Sequence, residues 1–249
     1  MTDAPDTSAA TGDERDAWQN VKDIIGNESV TLGHHWSFNL RNDPKRLPFV
    51  LARYKFAAKM ACGGGDVLEL GCSEGIGTPI LAEHVDRYFG VDMDGDAIAT
   101  AQKNWGSENV RFEAGNFLGK TYGFTGVDEN GSGTSDKNRA GRGTFSGIVS
   151  LDVIEHISTD IEDQYFDTIA ANLTAQGVAV VGTPNITSDQ YASPMSKAGH
   201  INLFDAERLV LAMQRVFHNV MQFGMNDELL HTGYAPMAHY LICVGCNKK

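Results

Sequence analysis

A chain of 249 residues, 42% apolar and 21% charged, is long enough for one full α/β core with trimmings and short of two large domains. No apolar run approaches the roughly 18 residues a membrane helix needs, and the acidic, polar start MTDAPDTSAATGDERD has no apolar signal core, which points to the cytoplasm. A formal charge of −12 repels a phosphate backbone, so nucleic acid and membrane are both disfavoured partners, and four scattered cysteines cannot staple a scaffold of this size.

Residues 1–15 lack periodicity and are expected to form a disordered tail. Trp18, Val21, Ile24 and Ile25 then recur at helical spacing, with Gly26 and Asn27 as the stop. The run TLGHHWSFNLRND has no clear period. Its His34, His35 and Trp36 are read either as a lid over a substrate or as a polar loop with one buried aromatic. Asp43 and Pro44 open a second helix with Leu47, Val50, Leu51, Tyr54 and Ala58 on one side, ended by Gly63, Gly64 and Gly65. Residues 16–62 are thus expected to be an N-terminal helical extension with a lid segment.

From residue 63 to 249, strands alternate with helices, which predicts crossover units on a doubly wound, mostly parallel sheet of seven strands. Strands are expected at 66–70, 88–92, 110–113, 145–152 and 177–183, with two closing strands at 220–225 and 239–245. Helices are expected at 78–85, after Asp92 with Ala97, Ile98, Ala101 and Trp105 on one face, at 159–173, and after Asp205 as cap. Residues 118–144, dense in Gly, Ser, Asn and Asp, replace a crossover helix with a loop insertion. Residues 184–204 read as irregular. Cys243 and Cys246 fall on the last strand facing opposite sides, so they are expected to be reduced thiols and not a zinc knuckle.

The turn from Gly71 to Gly77 lets a backbone approach a ligand closely beside a helix N-terminus. Its glycines fall at offsets 0, 4 and 6, which departs from the dinucleotide fingerprint, and it lacks a P-loop lysine. Asp92 ends the second strand about twenty residues after the turn, where an acidic side chain accepts hydrogen bonds from a ribose diol.

With these residues in place, the chain from Arg53 onward resembles the class I S-adenosylmethionine-dependent methyltransferases of the small-molecule subgroup. The likeness is carried by VLELGCSEGIGT, GVDMDGDAIATA, FEAGNF, SLDVIEHI and GVAVVGTPN. It implies a Rossmann-like fold with S-adenosylmethionine as cofactor, Glu69 and Gly71 bordering the methionine moiety and Ser73 in the glycine turn. It further implies Asp92 on the ribose, Met93 on adenine, Asn116 and Phe117 at the adenine edge and face, and Leu151 beside the cofactor. Ser73 stands where the family has glycine and Asn116 where aspartate is commoner. Arg53 is read either as a partner of the methionine carboxylate or as a solvated helix charge.

Methyl transfer from a sulfonium needs an in-line acceptor held close and dry, and a hydroxyl acceptor gains from a base or metal. Asp152, Glu155 and His156 fall at i, i+3 and i+4 and share a side if that turn is helical, while His200 approaches from across the cleft. His156, His200 and Asp152 are the catalytic candidates. A similarity to small-RNA 3′-end methyltransferases implies a divalent metal on Asp152, Glu155, His156 and His200; the alternative is that Glu155 and His156 cap and pack. The leading expectation is a methyltransferase acting on a hydroxyl of a sugar or natural product, with a homodimer compatible. The rivals are an RNA-end methyltransferase and a partner subunit that binds cofactor without catalysis.

Overall fold

The computed structural model describes residues 12–124, 126–127, 133–134 and 144–249. They fall into two compact units, Met1–Thr31 and Leu32–Lys249. In the first, helix α1 (Gly12–Ile25) carries Asp13 and Glu14 in its first turn, where the helix dipole favours acidic groups. It thus begins inside the stretch expected to be a tail, whose residues 1–11 lie outside the described residues. Trp18, Val21, Ile24 and Ile25 line one face and are all exposed.

The second unit takes in both α2 (His34–Asn42) and α3 (Arg46–Ala61). The stretch read as unpatterned is helix α2. Then follow β1 (Asp66–Leu70), α4 (Thr78–Ala82), β2 (Arg87–Asp92), α5 (Gly95–Trp105) and β3 (Val110–Ala114). Within the long insertion a small hairpin pairs β4 (Gly126–Val127) with β5 (Gly133–Thr134), and the rest of the 118–144 expectation lies largely outside the described residues. Beyond it come β6 (Phe145–Leu151), α6 (Glu162–Asn172), β7 (Leu173–Pro184), α7 (Pro194–Gly199) and α8 (Ala206–Gln214). The chain closes with β8 (Phe217–Asn226), β9 (Leu229–His231) and β10 (Tyr240–Lys248).

The main sheet runs β3-β2-β1-β6-β7-β10-β8-β9. The pairs from β3 to β7 are parallel, and β10, β8 and β9 join antiparallel. The doubly wound, mostly parallel architecture agrees with the expectation, and β9 makes an eighth strand where seven were expected. Three residues were too few to register as a strand by periodicity.

Parallel strands covered on both faces read as near-continuous apolar runs, and here each face has its own core. Val67, Val149 and Val180 point to one side, against Val50, Tyr54 and Ala57 of α3 and Trp36 of α2. Leu68, Ile148 and Val181 point to the other, against Tyr165, Phe166 and Ile169 of α6 and Leu209 and Met213 of α8. This alternation places the strand ends Leu70, Asp92 and Leu151 side by side at one edge, where the glycine turn lies. The segment 184–204, read as irregular, holds a 3-10 helix at Ile186–Tyr191 and α7. All four cysteines are free thiols.

Candidate nucleoside-binding site and its neighbouring cleft

After β1 the chain turns at Gly71 with φ 81°, where a Cβ would lie 2.2 Å from Val153 Cγ2, so both backbone and packing require glycine. Ser73 follows with φ 49°. This serine, standing where the family has glycine, occupies the left-handed region, at a cost of about 1 kcal/mol. Its N–H donates to Asp92 Oδ2 at 2.8 Å, which offsets that strain. The other Asp92 oxygen accepts from the Asp94 N–H at 2.9 Å, and Asp94 in turn caps α5. The carboxylate at the end of β2 is therefore held by two backbone donors in one orientation.

Met93, beside it, is 82% exposed, an apolar surface open to a flat ring. Asn116 Oδ1 accepts from the Leu118 N–H at 3.0 Å and so shapes the turn after β3. Phe117 packs edge-on against Tyr165 in the core. This packing withdraws most of the ring from water, where an aromatic gains most. Leu151 ends β6 as expected, buried on the α3 side of the sheet.

Glu69, expected to border the methionine moiety, lies near the end of β1, two residues before the Gly71 turn. It is 1% exposed and accepts the hydroxyl protons of Tyr54, at 2.6 Å, and of Tyr88. Burial pushes its carboxyl up to about 7, the two tyrosines oppose that rise, and Asp92 adds to it. Glu69 thus braces α3 and β2. Neither tyrosine carries a local sequence signal for this role.

Arg53 is neither a solvated helix charge nor free. Its Nη1 donates to Asp152 Oδ2 at 2.8 Å and Oδ1 at 3.1 Å, and its guanidinium carbon lies 3.5 Å from the centre of the Tyr240 ring. Burial opposes the charge, but Asp152 outweighs it and holds the guanidinium above its ordinary pKa. Arg53 Nε is buried and has no hydrogen-bond partner among the described residues. Asp152 itself has φ 57°, and its N–H donates to Gly182 O at 3.0 Å and Tyr240 Oη at 3.1 Å. This turn separates Asp152 from the 3-10 helix Ile154–His156, so the continuous helical face expected for Asp152, Glu155 and His156 does not form.

What does assemble is Glu155, His156 and His200, whose ligand atoms lie within 4.8 Å of one another. Asp152, expected as a fourth member, is taken by Arg53. Glu155 is fully buried. Its Oε2 accepts from Thr183 Oγ1 at 2.9 Å, while Oε1 has no partner among the described residues. Burial and then the Asp152 charge push Glu155 up to about 8, against the pull of Thr183 and Arg53. His156 Nδ1 lies 2.8 Å from Gly199 O; a carbonyl only accepts, so Nδ1 carries a proton and Nε2 is the nitrogen left to face other groups. His200 stacks edge-on to His156 at 5.1 Å, and burial followed by His156 lowers its pKa.

A cleft of about 250 Å³ opens beside this cluster. Arg46, Phe49 and Arg53 of the α3 side, Asp152, Tyr191 and His200 are among its walls. Periodicity missed Arg46 and Tyr191, which have no pattern of their own and matter only because the fold brings them together.

A glycine turn after the first strand and a clamped carboxylate at the end of the second, at the C-terminal edge of a doubly wound sheet, define a nucleoside-binding α/β protein. The chain belongs to the methyltransferase-domain family, which matches residues 43–217. It is similar to a probable S-adenosylmethionine-dependent methyltransferase of Mycolicibacterium smegmatis, 28% identical over 124 residues, which are 50% of this chain and 40% of that protein. The chain therefore matches less than half the length of that relative. In fold it is similar to the complex between the Haloferax volcanii Trm112 methyltransferase activator and the putative methyltransferase, with TM-score 0.62, 12% identity, and 88% of this chain and 100% of that one covered. It is also similar to the N-methyltransferase NodS of Bradyrhizobium japonicum in complex with S-adenosyl-L-homocysteine, with TM-score 0.55, 17% identity, and 92% and 97% covered. At such identities the likeness concerns the fold. Among the described residues no helix is long and apolar enough to cross a membrane.

Proposed function

We propose that the chain transfers the methyl group of S-adenosylmethionine to a small polar acceptor, a hydroxyl of a sugar or natural-product scaffold. The observation that carries this reading is Asp92, fixed by the Ser73 and Asp94 N–H groups beside the Gly71 turn, as a ribose diol requires. S-adenosylmethionine supplies an already activated methyl group on its sulfonium. The chain's task is to hold and orient. Met93 offers its exposed side chain to adenine, and the unpartnered Nε edge of Arg53 suits the methionine carboxylate. Asn116 keeps a lone pair for the adenine amino group beyond its bond to Leu118. The acceptor enters the cleft below His200, whose lowered pKa keeps the ring neutral and able to take the hydroxyl proton. Calorimetric titration with S-adenosylmethionine tests the reading: saturable heat supports it, and none at millimolar ligand removes it. Cytoplasmic location and self-association belong to the same proposal, and light scattering on the pure protein checks the latter.

A second reading is favoured by the buried Glu155 carboxylate, whose Oε1 has no partner among the described residues and which has an oxygen within 4.8 Å of ligand atoms of both histidines. An oxygen and two imidazoles fit a divalent transition ion such as Mn or Fe better than Mg, and His156 Nε2, the nitrogen not bonded to Gly199, would be its ligand atom. Glu155, His156 and His200 would hold the ion, which would lower the pKa of an acceptor hydroxyl, as in an RNA 3′-end methyltransferase. Asp152 would stay on Arg53. The acidic chain speaks against RNA as the acceptor. The third reading, a subunit that binds cofactor without catalysis, loses its basis in Ser73, since that residue still delivers its N–H to Asp92.

A further inference from the structure

Helix α2 begins without a capping side chain of its own. Its N-cap is Gly33, so the free N–H groups of the first turn need an acceptor from elsewhere in the chain. Glu74 supplies both: Oε1 accepts the His35 N–H at 2.7 Å and Oε2 the Trp36 N–H at 3.1 Å. A carboxylate at a helix N-terminus is also favoured by the helix dipole. It comes so near that a Cβ on Gly33 would lie 2.3 Å from Glu74 Oε1. Gly33 has φ −75° and ψ −170°, a conformation open to any residue, so a side chain there is opposed by the Glu74 side chain and would have to displace it from the cap.

Glu74 follows Ser73, whose N–H holds Asp92. One peptide link therefore separates the cap of α2 from the clamp on the ribose carboxylate. Beyond the cap, burial and then the charge of Arg46 lower the pKa of His35, against the pull of Glu74, Asp152 and Asp92.

We propose that Glu74 is a positioning residue that fastens α2 to the glycine turn, so that ribose binding at Asp92 is felt by α2 through Ser73 and Glu74. The coupling rests on the reading of the chain as an S-adenosylmethionine-dependent methyltransferase; the cap itself does not.

Amide hydrogen exchange with and without S-adenosylhomocysteine tests both. In the wild type the ligand slows exchange over residues 34–42. Glu74→Ala speeds ligand-free exchange there by about tenfold, the usual worth of a helix cap, while β1 and β2 exchange as before. It abolishes the ligand's protection of α2 and leaves ligand affinity within a few-fold. Glu74→Gln, with one acceptor oxygen left, falls between. Gly33→Ala reproduces Glu74→Ala, and the double variant is no worse than Glu74→Ala, because the clash disappears with the carboxylate. Unchanged exchange over 34–42 in Glu74→Ala overturns the cap. Ligand protection that persists there in Glu74→Ala overturns the coupling. A wild type that binds no S-adenosylhomocysteine sinks the cofactor reading and the coupling with it, and the ligand-free comparison still decides the cap.

Discussion

Arg53 and Asp152 stand 99 residues apart in sequence and meet at 2.8 Å, with the guanidinium laid over the Tyr240 ring. The pair joins α3 to the end of β6 at the mouth of the cleft. Both side chains are largely withdrawn from water, at 13% and 28% exposure, so the pair is more than a surface contact. Removing one partner leaves the other charge poorly solvated. Arg53→Met and Asp152→Ala should each destabilise the protein by about 1–3 kcal/mol, below the full cost of a deeply buried pair because Asp152 keeps some water. Urea midpoints read this, and a double-mutant cycle with no coupling energy would refute it.

For Asp92, the expected result of an alanine substitution is a loss of about 1–3 kcal/mol in affinity for S-adenosylhomocysteine, the worth of hydrogen bonds to a charged acceptor. The substitution also frees the Ser73 and Asp94 N–H groups, so the thermal midpoint should fall as well. Unaltered calorimetric affinity would discredit the ribose assignment.

The buried carboxyls set a pH dependence of opposite sense to the usual acidic pair. Glu155 is raised from 4.5 to about 8 and Glu69 from 4.5 to about 7, so the folded protein binds these protons more tightly than the unfolded chain. Stability is therefore greatest on the acid side of 4.5 as far as these groups are concerned, and it falls as pH rises toward 8. The lowered His35 and His200 act the other way, but only below their ordinary 6.5. In metal-free protein, urea midpoints measured above pH 6.5 should decline with rising pH, and Glu155→Gln should flatten the decline. An equal slope in both proteins would exclude Glu155 as its source.

If His200 takes the acceptor proton, His200→Ala should lower turnover by about 10²–10⁴ with affinity for S-adenosylhomocysteine intact. Turnover should survive a strong chelator. Activity lost on chelation and restored by Mn or Mg would instead favour the metal reading of Glu155, His156 and His200.

Ser73→Gly should raise stability slightly, by up to about 1 kcal/mol, because relief of left-handed strain exceeds the extra flexibility of unfolded glycine. Cofactor affinity should not change, since the N–H to Asp92 remains. Weaker binding in this variant would show that the serine side chain itself takes part.

Much of the fold could be read in the sequence. The strands around Leu68, Val91, Ile148 and Val180 are apolar runs bounded by turn residues, and such runs depend only on near neighbours. The long α3 carries its own period. Helix α2 does not, because the group that starts it, Glu74, lies 39 residues from His35 in sequence. The eighth strand was too short to show a period.

The site divides along the same line. Local sequence determined the Gly71 turn, the carboxylate of Asp92 after the next strand, and hence the class of ligand, because a positive φ and a strand end are properties of a few consecutive residues. Only the folded chain decided that Arg53 closes on Asp152, that Glu69 joins Tyr54 to Tyr88, that Phe117 packs on Tyr165, and that Glu155 meets two histidines without Asp152. Those outcomes depend on which groups lose water together and which charges then find each other. Free energies of burial and pairing belong to surfaces brought together across tens of residues, and no stretch of sequence carries them alone.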